Sequence, residues 1–179
     1  YGLYSTMSVL GNLNRQKEKA GLHAKLGISH FEACNYPLAL TEFLKAENLD
    51  DQSPMIQNNM GLTYFMREKY ELAEKHIRKA VSLDSDFTEA RNNLARVLIE
   101  RNKFSEAERE LKTVLNDLTY TGIEKAYINL GLSYFKQNKF EQAQGAFLKA
   151  VDHQQDSCIA NNYYGRSLFE LNEYRRALT

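Results

Sequence analysis

Small residues return along the chain at an almost constant interval, and two further columns of residues keep the same register. The small residues are separated by 34, 34, 36 and 34 positions and are Gly27, Gly61, Ala95, Gly131 and Gly165. The aromatic column contains Tyr36, Tyr70, Phe104, Phe140 and Tyr174, and the alanine column contains Ala39, Ala73, Ala107, Ala143 and Ala177. A fixed period of this length indicates one supersecondary unit that is repeated and stacked on its neighbours.

Each repeat carries two sets of mostly apolar or small residues at spacings close to i, i+3, i+4 and i+7, which is the spacing of one helix face. In the second repeat the stripes are Gln57, Met60, Gly61 and Tyr64, then Tyr70, Ala73, Ile77 and Ala80. Two helices of about 14 residues joined by a tight turn pack antiparallel, with the small residues where their axes approach. The chain contains only 9 glycines and 2 prolines, which favours an all-α fold over turn-rich β folds.

With this period and these small residues flanked by large ones, residues 20–179 resemble the tetratricopeptide repeat. The resemblance implies a solenoid of antiparallel helix pairs with about four and a half repeats. Their boundaries are 20–53, 54–87, 88–123 with a two-residue insertion, 124–157 and 158–179, and residues 1–19 are a lead-in helix or a linker. The fifth repeat stops within its second helix, so we expect a truncated repeat with an exposed apolar edge.

Polar residues mark the predicted helix ends. Asparagine tolerates the left-handed conformation that stops a helix, and we expect it in the turns inside the repeats at Asn35, Asn102, Asn138 and Asn172. Ser53 before Pro54 has the pattern of an N-cap followed by a first helical residue. Asp86 and Ser157 are the corresponding N-cap candidates of two later helices.

The charge balance excludes some classes of partner. Lys and Arg number 23, Asp and Glu also number 23, and the formal net charge is +0. A dedicated nucleic-acid-binding protein carries a basic excess, so we expect no nucleic-acid partner. No apolar run approaches the ~18 residues of a membrane-spanning helix, so we expect no transmembrane segment.

No set of residues has the spacing of a catalytic or metal-binding site. Of the four histidines only His23 and His30 are close in sequence, and His30 lies in a core column of the repeat; a zinc site would need a further ligand. Cys34 and Cys158 belong to different repeats, and a disulfide between them is not expected. There is no phosphate-binding glycine loop and no nucleophile motif. We therefore expect no enzyme activity, no cofactor and no metal.

In proteins with this repeat the concave wall comes from the first helix of each pair, one position away from the packing stripe. The resemblance therefore implies a protein-binding groove, which we call the binding wall. Its members are Ile28, Phe31, Met55, Asn58, Asn59, Leu62, Phe65, Asn92, Asn93, Arg96, Ile99, Ile128, Asn129, Leu132, Phe135, Asn162, Arg166 and Phe169.

The composition of the binding wall predicts an extended or helical protein segment as the guest. Its asparagine amides suit hydrogen bonding to a peptide main chain, and its apolar members suit apolar side chains. The alternative is that the aromatics belong to the core between repeats and that the asparagines cap helices or face solvent. Relatives that clamp a terminal carboxylate use a lysine column, whose counterpart here reads Ala24, Asn58, Asn92, Ile128 and Asn162. This departure argues against a heat-shock-protein co-chaperone.

A narrower resemblance involves three segments between Thr88 and Gln142. These are Asn92-Asn93-Leu94, the insertion loop with Asp117 and Tyr120, and Asn129-Leu130-Gly131-Leu132. Together they are similar to the type IV pilus biogenesis lipoproteins of Gram-negative bacteria, also called pilotins. The resemblance implies a protein at the periplasmic face of the outer membrane that helps the pilus secretin to localise or assemble. It also implies a lipid anchor on a cysteine upstream of Tyr1.

Two other readings of the sequence stay open. The chain is equally compatible with a generic repeat scaffold or adaptor for an unrelated protein, including one in the cytoplasm. It is also compatible with a recruiting module of a larger enzyme. The insertion loop is either a partner contact or a local adjustment of the superhelix.

Overall fold

The computed structural model describes the backbone of residues 2–177 and the side chains of residues 9–173 and 175. Helices follow one another over this range, and no strand occurs in it. They are α1 (Gly2–Glu32), α2 (Tyr36–Leu49), α3 (Pro54–Met66), α4 (Tyr70–Leu83), α5 (Thr88–Glu100), α6 (Phe104–Asn116), α7 (Ile123–Lys136), α8 (Phe140–His153) and α9 (Cys158–Ala177). The predicted all-α fold of antiparallel helix pairs is confirmed.

The chain forms two compact units, Tyr1–Phe87 with α1 to α4 and Thr88–Thr179 with α5 to α9. In the N-terminal unit the core is built from alanines and a few large residues on α1, α2 and α3: Ala20, Ala24, Ala39, Phe43, Ala46, Ile56 and Met60. Alanine keeps the helices close, and the few large side chains fill the remaining space. The repeated alanine column is thus a packing requirement.

In three of the described helix pairs a glycine of the first helix meets a bulky residue of the second, and in the α5–α6 pair Ala95 takes the place of the glycine. A methyl group added to Gly27 would lie 2.5 Å from Cε1 of Phe43, and one added to Gly131 would overlap the ring of Phe147. Both rings are completely buried. The ring of the second helix therefore lies directly on the backbone of the first, which only glycine permits at this distance.

Four residues in the turns have left-handed backbone conformations with φ of 58° or 59°: Cys34, Glu68, Asn102 and Asn138. The prediction is right for Asn102 and Asn138 and wrong for Asn35, which lies one residue later and caps α2 by accepting a hydrogen bond from the Leu38 amide. The register of the turn follows the repeat, and Cys34 occupies the place of the later asparagines. Residue type alone does not set this position.

One predicted alternative is decided and one predicted helix end is wrong. Residues 2–19 are the first half of α1, which continues to Glu32 without a break, so of the two alternatives the lead-in helix is the one observed. Asn172 lies inside α9, whose backbone continues to Ala177 without the predicted turn. A methyl group on Gly165 would meet nothing within 4 Å. Because no second helix packs on Gly165 in the described part of the chain, no contact stabilises a turn at Asn172.

Serine caps lie where the sequence predicts them. The Ser53 hydroxyl accepts a hydrogen bond from the Ile56 amide at 3.4 Å, with Pro54 as the first helical residue. The Ser157 hydroxyl accepts from the Ala160 amide at 3.3 Å. These caps satisfy amides that the first turn of a helix leaves without a partner.

The two-residue insertion forms the loop between α6 and α7, and its polar groups bind the start of α5. The Thr88 hydroxyl donates to Asp117 at 2.5 Å, and the Tyr120 hydroxyl donates to Glu89 at 2.6 Å. Burial and the Glu89 carboxylate raise the pKa of Tyr120, and hydrogen bonds from Thr119 and Thr88 lower the pKa of Asp117. The loop is therefore held by hydrogen bonds to α5, the first helix of the pair that it follows.

A hydrogen-bonded chain of three side chains joins α2, α3 and α4. Gln57 is fully buried and donates from Nε2 to Glu47 at 2.8 Å, and its Oε1 accepts from Nδ1 of His76 at 2.8 Å. His76 also stacks on Tyr64. Burial lowers the pKa of His76, with Lys75 and Lys79 acting in the same direction and Glu47 against them. The pattern of the repeat did not indicate this network.

No described helix is long and apolar enough to span a bilayer.

We predict that Gly131→Ala destabilises the C-terminal unit by about 1–3 kcal/mol, because the buried Phe147 ring has no free space into which to move. The matched control is Gly145→Ala in α8, where a methyl group meets nothing within 4 Å. This control should gain about 0.5–1 kcal/mol from helix propensity. Chemical denaturation followed by circular dichroism measures both, and equal stabilities would contradict the close-contact account.

We also predict that His76 makes the fold less stable in mild acid. The pKa of His76 in the folded protein lies below the ordinary value of about 6.5. The stability that neutral His76 contributes is therefore fully present above about pH 6.5 and is lost as the pH falls from there towards the folded pKa. The control is His76→Asn, whose amide retains a donor but does not titrate. From pH 7.5 to pH 5.5 the melting temperature should decrease more in the wild type than in His76→Asn. Equal decreases in the two proteins would refute the role of His76.

Candidate protein-binding surface

The binding wall has different accessibility and chemistry in the two units. In the N-terminal unit, Ile28, Phe31, Asn59, Leu62 and Phe65 are half-buried. Met55 is 49% exposed. The amphipathic first helices therefore leave apolar surface in contact with solvent after the helix pairs have formed. We call these six residues, without the buried Asn58, the N-terminal wall.

A pocket of about 170 Å³ opens in the N-terminal wall between α1 and α3. Its lining residues are Ile28, Phe31, Glu32, Phe43, Asn59 and Leu62. Four of the six are predicted wall residues. Phe43 comes from α2 and Glu32 is the last residue of α1, and neither was predicted. Glu32 was recognisable in principle, because it follows Ile28 by four residues and so lies on the same helix face.

Three aromatics of the binding wall also pack against the aromatic residue that starts the next helix. The ring centroids of Phe31 and Tyr36 are 5.5 Å apart, and those of Phe65 and Tyr70 are 5.6 Å apart. Phe135 and Phe140 repeat the arrangement at 5.4 Å. These edge-to-face or tilted contacts close the turn within a helix pair. The aromatics therefore stabilise their own repeat, in addition to any contact with a guest.

Two members of the asparagine row bond to each other inside the protein. Asn92 and Asn129 are only 3% and 7% exposed, and Nδ2 of Asn129 donates to Oδ1 of Asn92 at 3.0 Å. The prediction that these two amides bind a guest main chain is therefore wrong, because they are buried and bonded to each other. Asn58 is also buried. Asn59 and Asn93 are half-buried, and Asn162 is exposed.

Two apolar members of the binding wall are in the core. Ile99 is completely buried and Leu132 nearly so, and the prediction that they line a groove is wrong. Sequence spacing places both residues on the expected face, but neighbouring side chains cover that face in the C-terminal unit. Ile128 and Phe135 are half-buried, whereas Phe169 is 64% exposed.

Charged residues of α5 and α7 form a ladder in the C-terminal unit. Lys125 contacts Glu89 at 3.3 Å, and Lys136 contacts Glu100 at 2.5 Å. Arg96, a predicted wall residue, pairs with Glu100 at 3.1 Å. The guanidinium of Arg166 lies 5.5 Å from the centre of the Phe135 ring. The charged members of this part of the wall are therefore paired within the protein.

Two histidines form contacts within the protein. Nδ1 of His23 lies 2.6 Å from Glu42, whose pKa is lowered by Lys45 and His23. His153 stacks on Tyr127. Within the described residues, no group of three or more histidine, cysteine, aspartate or glutamate side chains is arranged to hold a metal ion.

We predict that Asn129→Ala lowers the free energy of unfolding by about 1–3 kcal/mol, because it leaves Oδ1 of the buried Asn92 without its donor. The matched control is Asn162→Ala on the exposed face of α9, which should change stability by less than about 0.5 kcal/mol. Urea denaturation measures both variants. Equal stability of the two would show that the bond contributes nothing.

Solved structures with the same fold include two proteins of type IV pilus biogenesis. PilF of Pseudomonas aeruginosa is 23% identical with a TM-score of 0.78, and the match covers 89% of this chain and 72% of that one. PilW, described as a widely conserved type IV pilus biogenesis factor, is 21% identical with a TM-score of 0.78, over 83% of this chain and 68% of that one. Identities at this level show the shared fold alone.

A third solved structure contains a bound peptide. The second repeat domain of Spaghetti (RPAP3), in complex with the HSP90 peptide SRMEEVD, is 25% identical with a TM-score of 0.55, and the match covers 56% of this chain and 94% of that one. None of the curated proteins matches the sequence of the chain.

Two family models described as tetratricopeptide repeat match the sequence, one over residues 64–119 and the other over residues 128–179. Together they cover more than half of the chain, and the described residues that they match run from the end of α3 to α9. Tetratricopeptide repeats are protein-interaction scaffolds. The sequence period, the glycine-on-ring crossings and these matches agree, and the chain belongs to the tetratricopeptide repeat family.

Proposed function

We propose that the chain binds an apolar segment of a protein partner through the N-terminal wall, and that this partner is the secretin of a type IV pilus. The observation that carries the proposal is the apolar surface that the helix pairs leave accessible, with half of Met55 exposed and a pocket beside Leu62. Surface of this kind on a folded protein marks a site of association.

The magnitude of apolar burial is sufficient for this role. Each Å² of apolar surface removed from water contributes about 25 cal/mol, so a few hundred Å² supply several kcal/mol before ordering costs are subtracted. The net charge of +0 adds no long-range attraction for either sign. Affinity for the partner would then come mainly from desolvation of the N-terminal wall.

The secretin is favoured as the partner by the resemblance of residues 88–142 to the pilotins and by the fold shared with PilF and PilW. On this proposal the N-terminal wall covers an apolar segment of the unassembled secretin subunit, which would prevent its aggregation. On this proposal the protein works at the periplasmic face of the outer membrane, held by a lipid anchor upstream of Tyr1. The insertion loop is less suited to bind the partner, because Asp117 and Tyr120 are bonded to α5.

We predict that the double substitution Met55→Ser and Leu62→Ser reduces the level of assembled secretin multimers at least tenfold in the organism that produces the protein. The two changes remove apolar contact area without touching a glycine crossing. The measurement is immunoblotting of secretin multimers, together with circular dichroism of the purified variant to confirm that its helicity is unchanged.

The matched control is Leu44→Ser with Leu72→Ser, which changes two comparably exposed leucines outside the binding wall. The control should leave secretin multimers at the wild-type level. Unchanged multimers in the wall variant would refute the secretin as partner. A second experiment places a photo-crosslinking residue at position 55. If it captures a different protein, and Leu62→Ser abolishes this capture, the chain is an adaptor for that protein.

A further inference from the structure

The pocket between α1 and α3 has the size of one side chain and an apolar interior. Phe43 is completely buried and provides the floor, while Ile28, Phe31 and Leu62 provide the sides. Its volume is about 170 Å³, and an apolar cavity of about 150 Å³ in another protein holds benzene. A leucine, isoleucine or methionine side chain therefore fits it.

Two polar groups complete the lining of the pocket. The carboxylate of Glu32 is exposed and forms no ion pair or side-chain hydrogen bond with any residue whose side chain the structure describes. The side-chain amide of Asn59 has no such partner either, although it belongs to the same lining. An amide that can both donate and accept suits a peptide bond of the guest.

The electrostatics at the mouth of the pocket favour a cation. Glu32 is the last residue of α1, so its negative charge coincides with the negative end of the helix dipole. A carboxylate at a helix C-terminus is unfavourable until a cation approaches it. Arginine and lysine satisfy it, and arginine does so with two parallel hydrogen bonds.

We propose that this pocket binds a partner segment in which an aliphatic side chain enters between α1 and α3 and a neighbouring arginine or lysine pairs with Glu32. The inference rests on the proposed function, that the N-terminal wall binds a protein segment, and adds the chemistry of that segment. Asn59 bonds the main chain between the two anchoring side chains. An acidic residue next to the aliphatic side chain is disfavoured, because its charge has the same sign as that of Glu32.

The experiment is a titration of the ¹⁵N-labelled chain with short peptides, followed by NMR at low salt. The main probe is the blocked hexapeptide acetyl-Gly-Ser-Leu-Arg-Ser-Gly-amide. Comparison probes replace its arginine with glutamate or its leucine with alanine. Chemical-shift changes detect binding in the millimolar range and report which amides are affected.

We expect the leucine–arginine peptide to shift the side-chain amide of Asn59 and to bind about fivefold more tightly than the leucine–glutamate peptide, which is the scale of one exposed ion pair. Replacing the leucine of the probe with alanine should weaken binding about tenfold or more through lost burial. Added salt should reduce the arginine preference and leave the leucine preference intact.

Two variants of the chain separate the contributions of charge and pocket. Glu32→Gln is an exposed change that should leave the fold intact and reduce the arginine preference to less than about twofold. Leu62→Trp fills the pocket and should abolish binding of the probe, whereas Leu44→Trp on the exposed face of α2 should not change it. If Leu62→Trp fails to fold, Glu32→Gln still decides the charge preference.

The outcomes distinguish this inference from the proposed function. Equal binding of the arginine and glutamate peptides, shifts that lie outside the pocket, or no binding of any probe would overturn the inference. Selective binding in the pocket with unchanged secretin multimers in the Met55→Ser, Leu62→Ser variant would sustain the inference and overturn the secretin proposal.

Discussion

In three of the described helix pairs a glycine of the first helix lies against a buried side chain of the second, and this contact determines the geometry of the pair. At Gly27 and Gly131 the ring of the second helix lies on the first helix itself, and this fixes how closely the axes approach. The alanine columns then fill the narrow space on both sides of the crossing. Contacts within the pair occupy this face of the first helix. The residues of the adjacent face are not needed for the crossing, so their composition can differ between repeats.

The two units use that adjacent face in different ways. In the N-terminal unit it remains apolar and partly exposed, with a pocket between α1 and α3. In the C-terminal unit, α5 and α7 connect across it through ion pairs and the buried Asn92–Asn129 hydrogen bond. Buried polar groups are costly unless bonded, so the latter surface specifies how its own repeats stack. The same position in the repeat thus leaves accessible apolar surface in one unit and forms a structural contact in the other.

Periodicity predicted the helices, their pairing and the glycine crossings, because these depend on which residues share a helix face. Periodicity failed where the burial or hydrogen bonding of a residue depends on residues of another helix. Ile99 lies on the expected face but is buried by its surroundings, and Asn92 is bonded to an asparagine 37 positions later. Cys34 adopts the left-handed conformation because of its place in the turn. Asn172 lies within α9, and among the described residues no side chain packs on Gly165 as Phe43 does on Gly27.

Affinity and selectivity have separate physical origins in the N-terminal wall. Apolar burial is non-directional, so Ile28, Phe31 and Leu62 would accept many aliphatic side chains with similar energy. The Glu32 carboxylate adds little free energy because it is exposed to solvent, but its contribution changes sign with the charge of the guest. A surface that must hold one apolar segment among many gains discrimination from such a group at small cost, since an acidic neighbour is repelled and a basic one is bound. Selectivity of this kind weakens with salt while affinity persists, because screening acts on the charge and leaves the apolar contact unchanged.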